Sequence, residues 1–409
     1  MRRIAIVGSG PSGCYLAEAL LRGDEECRID IVDRLPTPFG LVRFGVAPDH
    51  QSTKAVTRLL DRVLAKPDVS FFGGVEVGRD ISLDELRERY DTVVIATGAS
   101  RDRRLDIPGE DLPGVFGSGK FVGWYTHHPD HADLDLREVD AAAVIGNGNV
   151  ALDVARMLAK RETELHGSDL DPDVERSIAN SGIRNIAIVG RRPAEFMKFS
   201  ERELGEFGDL QSARPHLGVP HDVDGVAGNA AETLRDICAR TYEGERIDVT
   251  FSFGLTPVAF EGAGRLEGVR FVSARGDEIV VPAGLAVTCI GYESTGHGLP
   301  LESGSIANSD GRIGADLYVV GWAKRGPSGT IPTNRAEAQA VAKTILADGA
   351  SSEKPGTPAL IGLLRARARE HIDYAGWRRI DASEIARAGA SRVRRKWRSH
   401  DELLAASRR

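Results

Sequence analysis

The stretch IGNGNVALDVAR, Ile145–Arg156, follows a run of small apolar residues, Ala141 to Val144, and leads into a helical pattern. Its spacing, Gly146-x-Gly148-x-x-Ala151, is a dinucleotide-binding fingerprint. The first glycine serves a tight turn, the second lets backbone N–H groups approach a pyrophosphate, and a small third residue lets helix pack on strand. The chain has already presented one such fingerprint. RIAIVGSGPSGCYLAEALLRG, Arg3–Gly23, reads as an apolar strand, a Gly8-x-Gly10-x-x-Gly13 turn and a helix. A second strand, RIDIVDR, reaches Asp33, at the distance of about 20 residues where a carboxylate accepts from a ribose hydroxyl. Two nucleotide sites on one chain are a much narrower signal than one.

At 409 residues the chain has room for two or more domains with sizeable cores. Its composition, 41% hydrophobic and 28% charged, is that of an ordinary soluble protein rather than a disordered one. No apolar run approaches the ~20 residues needed to span a bilayer. The opening MRRIAIVGSG lacks the apolar core and cleavage site of a signal peptide, so a cytoplasmic location is expected, without membrane insertion. Cys14, Cys27, Cys238 and Cys289 are scattered, with no Cys-x-x-Cys. That argues against a dithiol redox pair, a zinc site or a cluster held by this chain alone, and no metal is expected. The net charge is −7, yet from Leu360 onward thirteen Arg and Lys stand against six Asp and Glu. Two readings of that tail stay open: a face that steers an acidic partner, or a solvated helix end. No nucleic-acid partner is expected.

Further segments suggest which nucleotide goes where. RYDTVVIATGAS, Arg89–Ser100, is an apolar strand ending in Ala96-Thr97-Gly98. Near the other end, DLYVVGWAKRGPSGTIPTNRAEAQAVAKTIL again reads as strand, glycine-rich turn and helix. In two-dinucleotide flavoproteins such a late strand returns to the first domain and brings its loop over the flavin. The first site is then expected to take FAD and the second a nicotinamide nucleotide. The strand after the second fingerprint, NIAIVG, ends without an acid; Arg191 and Arg192 follow directly. Arginine in that place accommodates the 2′-phosphate of NADP, where an acid would select NAD. The intervening KRETELHGSDLDPDVERSIANSGIR reads as an elongated first helix with a surface helical insertion.

LPTPFGLVRFGVAPDHQSTK, Leu35–Lys54, is broken by prolines and glycines and reads as a long ordered loop, a class that is usually functional. Its PFGLVR and GVAPDH segments resemble the adrenodoxin-reductase-type ferredoxin–NADP⁺ reductases. IPGEDLPGV, FVGWY, VIGNGNVALDVAR, IVGRR and YVVGWAKRGPSGTI resemble that family's motifs, in its order and over most of the chain. The related small subunit of glutamate synthase shares the fold, but its cysteine-rich cluster-binding sequence has no counterpart here.

The resemblance implies an α/β chain of two Rossmann-like dinucleotide-binding domains, with glutathione-reductase-like architecture. An FAD domain, residues 1–107 plus 316–409, would carry an inserted NADP domain, residues 108–315. Gly8, Gly10, Ser12, Gly13 and Asp33 would hold FAD, with Leu41 and Val77 against it. Trp322, Gly329, Thr330 and Ile331 would cover the isoalloxazine. Gly146, Asn147, Gly148, Asn149 and Val150 would cradle the NADP pyrophosphate; Arg191 and Arg192 would take its 2′-phosphate, and Arg103 is a further cofactor candidate. His50 and Glu203 match the family's active-site histidine and its acid near the nicotinamide. Each has a plainer reading: His50 as a residue that satisfies the proline-rich loop, and Glu203 as a capping-box acid three residues after Ser200.

The activity implied is hydride transfer from NADPH to FAD, then single electrons to a ferredoxin of [2Fe–2S], [3Fe–4S] or [4Fe–4S] type. Cytochrome P450 is the expected indirect beneficiary, and a monomer the expected state. Arg43, Arg101, Arg103, Arg104, Arg191, Arg192 and the C-terminal arginines are candidates for the ferredoxin face. Alternatives are an NAD(P)H:quinone or disulfide reductase of the same fold, or a non-catalytic flavin redox sensor.

Overall fold

The computed structural model describes every residue except 132–133, 220–222, 245 and 350–353. By its internal contacts the chain forms two units, Met1–Arg101 with His127–Asp130 and Tyr292–Arg409, and Asp102–Thr126 with His131–Gly291.

The first unit is built on a five-stranded parallel sheet in the order Leu317–Val319, Thr92–Ile95, Arg2–Val7, Cys27–Asp33, Val69–Gly73. Its strands are nearly continuous Ile and Val because both faces are covered. Alternate residues serve alternate faces. Ile4, Ile6, Ile29 and Ile31 pack with Leu16 and Leu20 of helix Pro11–Gly23 and with Val341 and Ile345 of helix Ile331–Ala347. Ala5, Val7, Val32, Val93 and Ile95 pack on the other face with Leu86, Leu360 and Leu364. The central strand Arg2–Val7 has neighbours on both sides that leave in opposite directions along the sheet order, so the turn at Gly8 lies at a topological switch point. Ligands of open α/β sheets bind at the carboxyl ends of the strands in that place.

Tyr292–Ala315, expected in the inserted domain, makes its contacts in this first unit. Leu301–Glu302 pairs with Ser305–Ile306, Ile306 is buried with Leu317 and Val319, and Arg312 bridges Tyr318. Three C-terminal helices, Thr357–Ala366, Tyr374–Ala386 and His400–Arg408, complete the unit.

The second unit carries a six-stranded parallel sheet in the order Val115–Gly117, Leu285–Thr288, Ala141–Ile145, Asn185–Gly190, Ile247–Phe253, Ala213–Leu217. A three-stranded antiparallel sheet, Leu255–Glu261, Gly268–Ser273 and Glu278–Pro282, supplies Phe260, Val269 and Phe271 against Ala143, Ile145, Val189 and Ala286. The strands Ile247–Phe253 and Leu285–Thr288 that flank this small sheet in the chain belong to the parallel sheet itself. The helix after the second fingerprint, expected to be elongated, is not. It spans Asn149–Ala159 and ends where Lys160 turns extended; a short 3-10 turn and the helix Pro172–Ala179, capped by Asp171, follow.

Candidate dinucleotide sites

In the first unit, Gly8 adopts φ +111°, and a Cβ there would stand 2.5 Å from the Ala96 carbonyl oxygen. The turn between the first strand and the first helix therefore closes directly on the ATG segment. At Gly10 a Cβ would meet nothing within 4 Å. That glycine opens a space rather than relieving a clash. The helix that follows starts with Pro11 at its first position and has no side-chain cap, so its leading N–H groups remain for a ligand. Asp33, at the end of the neighbouring strand, accepts from the Ser9 amide (2.8 Å), the Ser9 hydroxyl (2.5 Å) and the Leu35 amide (2.9 Å). Burial pushes its carboxyl above the ordinary value, against those bonds.

The late turn meets the same place. Gly321, at φ +76°, lies so close to the Ser12 hydroxyl that no Cβ would fit. Ser12 donates to Asn334 Oδ1 (3.2 Å), which also receives Arg325 (2.7 Å). Glu337 accepts from the Gly321 amide (3.1 Å), Lys324 (3.2 Å) and Arg325. Trp322 stacks on Tyr292 with centroids 6.2 Å apart, and its indole N–H donates to the Ser328 carbonyl (3.0 Å). Gly329 and Thr330 are exposed at the start of helix Ile331–Ala347. Thus Gly8, Gly10, Ser12, Gly13, Asp33 and Trp322 gather around one turn, with Gly329, Thr330 and Ile331 on the adjoining helix start.

The loop Leu35–Lys54, expected to be ordered but irregular, contains short helices at Gly40–Phe44 and Gln51–Lys54. Leu41 is exposed on the first of these, at 44%. His50 is buried just before the second, and its carbonyl accepts from the Lys54 amide (3.1 Å). Val77 is buried and its backbone bonds His297, whose ring also meets Thr97 Oγ1 at 3.1 Å. Burial pulls that imidazole below its ordinary value.

The second unit repeats the geometry. A Cβ on Gly146 would run into the Cys289 carbonyl of the neighbouring strand end, whereas Gly148 has nothing within 4 Å. Helix Asn149–Ala159 has no side-chain cap. Asn147 lies against Gly190, leaving no room for a side chain there, and its carbonyl accepts from the Lys198 amide (2.8 Å). Asn149 is committed to the protein: its Oδ1 accepts from the Ser200 amide (2.9 Å) and its Nδ2 lies 3.2 Å from the Ser200 hydroxyl. Ser200 Oγ caps the Glu203 amide (3.3 Å), which places Glu203 in the first turn of helix Glu201–Asp209. Arg191 and Arg192 are exposed, and among the described residues neither forms an ion pair. Arg103 is fixed through its amide, which donates to the Gly291 carbonyl (3.1 Å), two residues beyond Cys289. The sequence-derived candidates Gly146 to Val150, Arg191, Arg192 and Glu203 therefore lie around one strand end.

One expectation is corrected. Arg43 is no surface residue for a partner: its side chain is 4% exposed and pairs with Glu384 at 2.6 Å. Arg392 and Lys396 of the basic tail are buried as well. Asn334, Glu337 and His297 escaped the sequence reading. Asn334 and Glu337 are three residues apart, on one face of the helix that begins at the GTI turn, and that spacing was the available signal.

The model of the pyridine nucleotide-disulphide oxidoreductases matches residues 2–320. Cindoxin reductase of Citrobacter braakii is 38% identical over 410 residues, covering 96% of this chain and 88% of that protein. The mitochondrial NADPH:adrenodoxin oxidoreductase of Arabidopsis thaliana is 35% identical, covering 99% and 95%. The structure of Mycobacterium tuberculosis FprA in complex with NADPH superposes with a TM-score of 0.94 at 35% identity, covering all of both chains. The chain belongs to the pyridine nucleotide-disulphide oxidoreductase family. As a member of that family it is a two-dinucleotide flavoprotein oxidoreductase working with FAD and NADP. It departs from the disulphide chemistry in the family's name. All four cysteines are free; burial raises every thiol, Cys27 and Cys238 to about 12 and Cys14 and Cys289 further. Thiols held in that form are poor nucleophiles.

Proposed function

We propose that this chain is an NADPH-dependent flavoprotein reductase that passes electrons to an iron–sulfur ferredoxin, with FAD on the first unit and NADP on the second. The observation that carries this reading is the repeated turn. At Gly8 and Gly146 a side chain would strike the next strand end, and at Gly10 and Gly148 the same construction leaves open space at an uncapped helix start. A pyrophosphate fits each cradle on backbone N–H groups.

In the first cradle Gly8, Gly10, Ser12 and Gly13 would bind the FAD pyrophosphate. Asp33, which holds Ser9, would accept from the ribose. Leu41 and Val77 would lie along the cofactor, and Trp322 with Gly329, Thr330 and Ile331 would cover its ring. In the second cradle Gly146 to Val150 would take the NADP pyrophosphate, and the exposed guanidinium groups of Arg191 and Arg192 its 2′-phosphate. Their planar donor sets match phosphate oxygens. Arg103 is assigned to the same cofactor. FAD, when bound, accepts a hydride equivalent from NADPH and releases the two electrons singly, which is what a one-electron ferredoxin requires. His50 and Glu203 are the groups assigned to hold or move the accompanying proton.

The finer reading is a monomeric cytoplasmic enzyme supplying a ferredoxin that feeds a cytochrome P450. Its test is anaerobic cytochrome c reduction by the purified yellow protein, with and without a [2Fe–2S] ferredoxin, using NADPH and then NADH. Strong stimulation by ferredoxin together with preference for NADPH supports the reading. A flavin that NADPH reduces, with a cytochrome c rate that ferredoxin leaves unchanged, overturns the partner assignment and turns attention to quinones.

A further inference from the structure

The loop over the first cradle is held from behind by the C-terminal helices. Phe39 adopts φ +81° and Gly40 φ +46°. A left-handed phenylalanine is a strained conformation that persists only when its surroundings over-determine it. Three contacts do so. The Phe39 amide donates to the Ser9 carbonyl (3.1 Å), inside the glycine-rich turn. The Phe39 ring meets Trp377 of helix Tyr374–Ala386 edge-on, with centroids 5.5 Å apart and planes at 87°. Four residues on, Arg43 donates to Glu384 of the same helix at 2.6 Å.

Glu384 is 0% exposed and also accepts from Arg394 (3.1 Å) and the Trp397 amide (3.2 Å). The Arg43 guanidinium lies 5.0 Å from the Phe44 ring centroid and 5.4 Å from that of Trp377. Gly40 comes close enough to the first cradle that a Cβ on it would be 3.4 Å from Gly10 Cα. One helix thus grips the loop at both ends of Phe39–Arg43, and the gripped segment rests on the turn that would bind the pyrophosphate.

We infer that Glu384 and Arg43 are positioning residues for FAD: the buried pair ties the Phe39–Phe44 segment to the C-terminal helix and thereby sets the wall of the flavin site. The inference rests on the assignment of FAD to the first unit. A buried pair is a weak source of net stability against apolar replacements, but removing one partner leaves the other charge uncompensated. Its directional character is what a strained corner needs.

The test uses the full-length holoprotein in three forms: Glu384→Gln, Arg43→Lys and the double variant Arg43→Met/Glu384→Met. FAD release is followed by the rise of free-flavin fluorescence, and the bound flavin by its visible circular dichroism and midpoint potential. Glu384→Gln should release FAD about tenfold faster, with a changed visible band, while Arg43→Lys, which keeps the charge, stays closer to wild type. The double variant replaces the pair by apolar groups of similar size, and Arg394 keeps Asp381 at 2.8 Å as its partner. Retention of the fold is checked by far-UV circular dichroism, and with the direction of the tether lost this variant too should release FAD faster. Wild-type release and an unchanged flavin spectrum in the double variant would overturn the inference, even where Glu384→Gln fails to fold. A wild-type protein that holds no FAD would instead overturn the assignment on which the inference rests.

Discussion

At the scale of single residues, the two glycines of the first turn separate folding from binding. A side chain at position 8 would require a left-handed backbone and strike the Ala96 carbonyl, whereas at position 10 it would enter open space. Gly8→Ala should therefore lower stability by roughly 1–3 kcal/mol in urea titration. Gly10→Ala should leave the melting temperature of the FAD-free protein unchanged and weaken FAD retention, read as flavin lost on gel filtration. Equal effects at both positions would refute this division of roles. In the second turn, Arg191→Ala and Arg192→Ala should each raise KM for NADPH about tenfold or more, the size of one lost charge-assisted bond, without raising KM for NADH. The fingerprint glycines were legible because their demands are local. Asn149 was not: its side chain is taken by Ser200, 51 residues away, and no local pattern records that.

At the scale of elements, Ser200 marks the helix Glu201–Asp209 as its sequence suggests, through the bond from the Glu203 amide. The reciprocal half of a capping box is absent, because the Ser200 amide goes to Asn149 instead of the Glu203 carboxylate. Ser200→Ala should cost about 1 kcal/mol in chemical denaturation, the usual worth of such a cap.

The His127–Asp130 segment gives a second test at this scale. Asp130 is tied to Arg34 and to His400, the latter at 2.7 Å. Burial would raise its carboxyl, but the bonds from His400 and Arg34 win and hold it well below the ordinary value. A carboxylate with a folded value below its unfolded one contributes stability in full above about pH 5 and loses it as pH falls through about 4 and below. Asp130→Asn should thus flatten the fall in melting temperature between about pH 5 and pH 3; an unchanged slope would remove Asp130 from that account. This docking joins residues 270 apart in the chain and had no local sign.

At the scale of the whole molecule, charge and burial have to be considered together. The sequence carries a net −7 with an excess of arginine after Leu360, and that excess alone suggests a docking face. The structure divides it. Arg392, Lys396 and, further up the chain, Arg43 are buried. Arg367, Arg378 and Arg408 bind Glu85, Asp61 and Glu370. Much of the basic tail therefore serves to fasten C-terminal helices onto the first unit, a use that composition cannot distinguish from partner binding. Any steering of an acidic ferredoxin by charge would then fall to a smaller set of exposed guanidinium groups, and steering through water is screened within about 8–10 Å at ordinary salt. Raising ionic strength from about 0.02 to 0.5 M should lower the ferredoxin-dependent rate under second-order conditions by about tenfold or more. The NADPH-to-ferricyanide rate at saturating NADPH supplies the control, since it needs no protein partner, and should change much less. A ferredoxin rate as insensitive to salt as that control would mean that docking rests on apolar contact, and the basic excess would then be wholly structural.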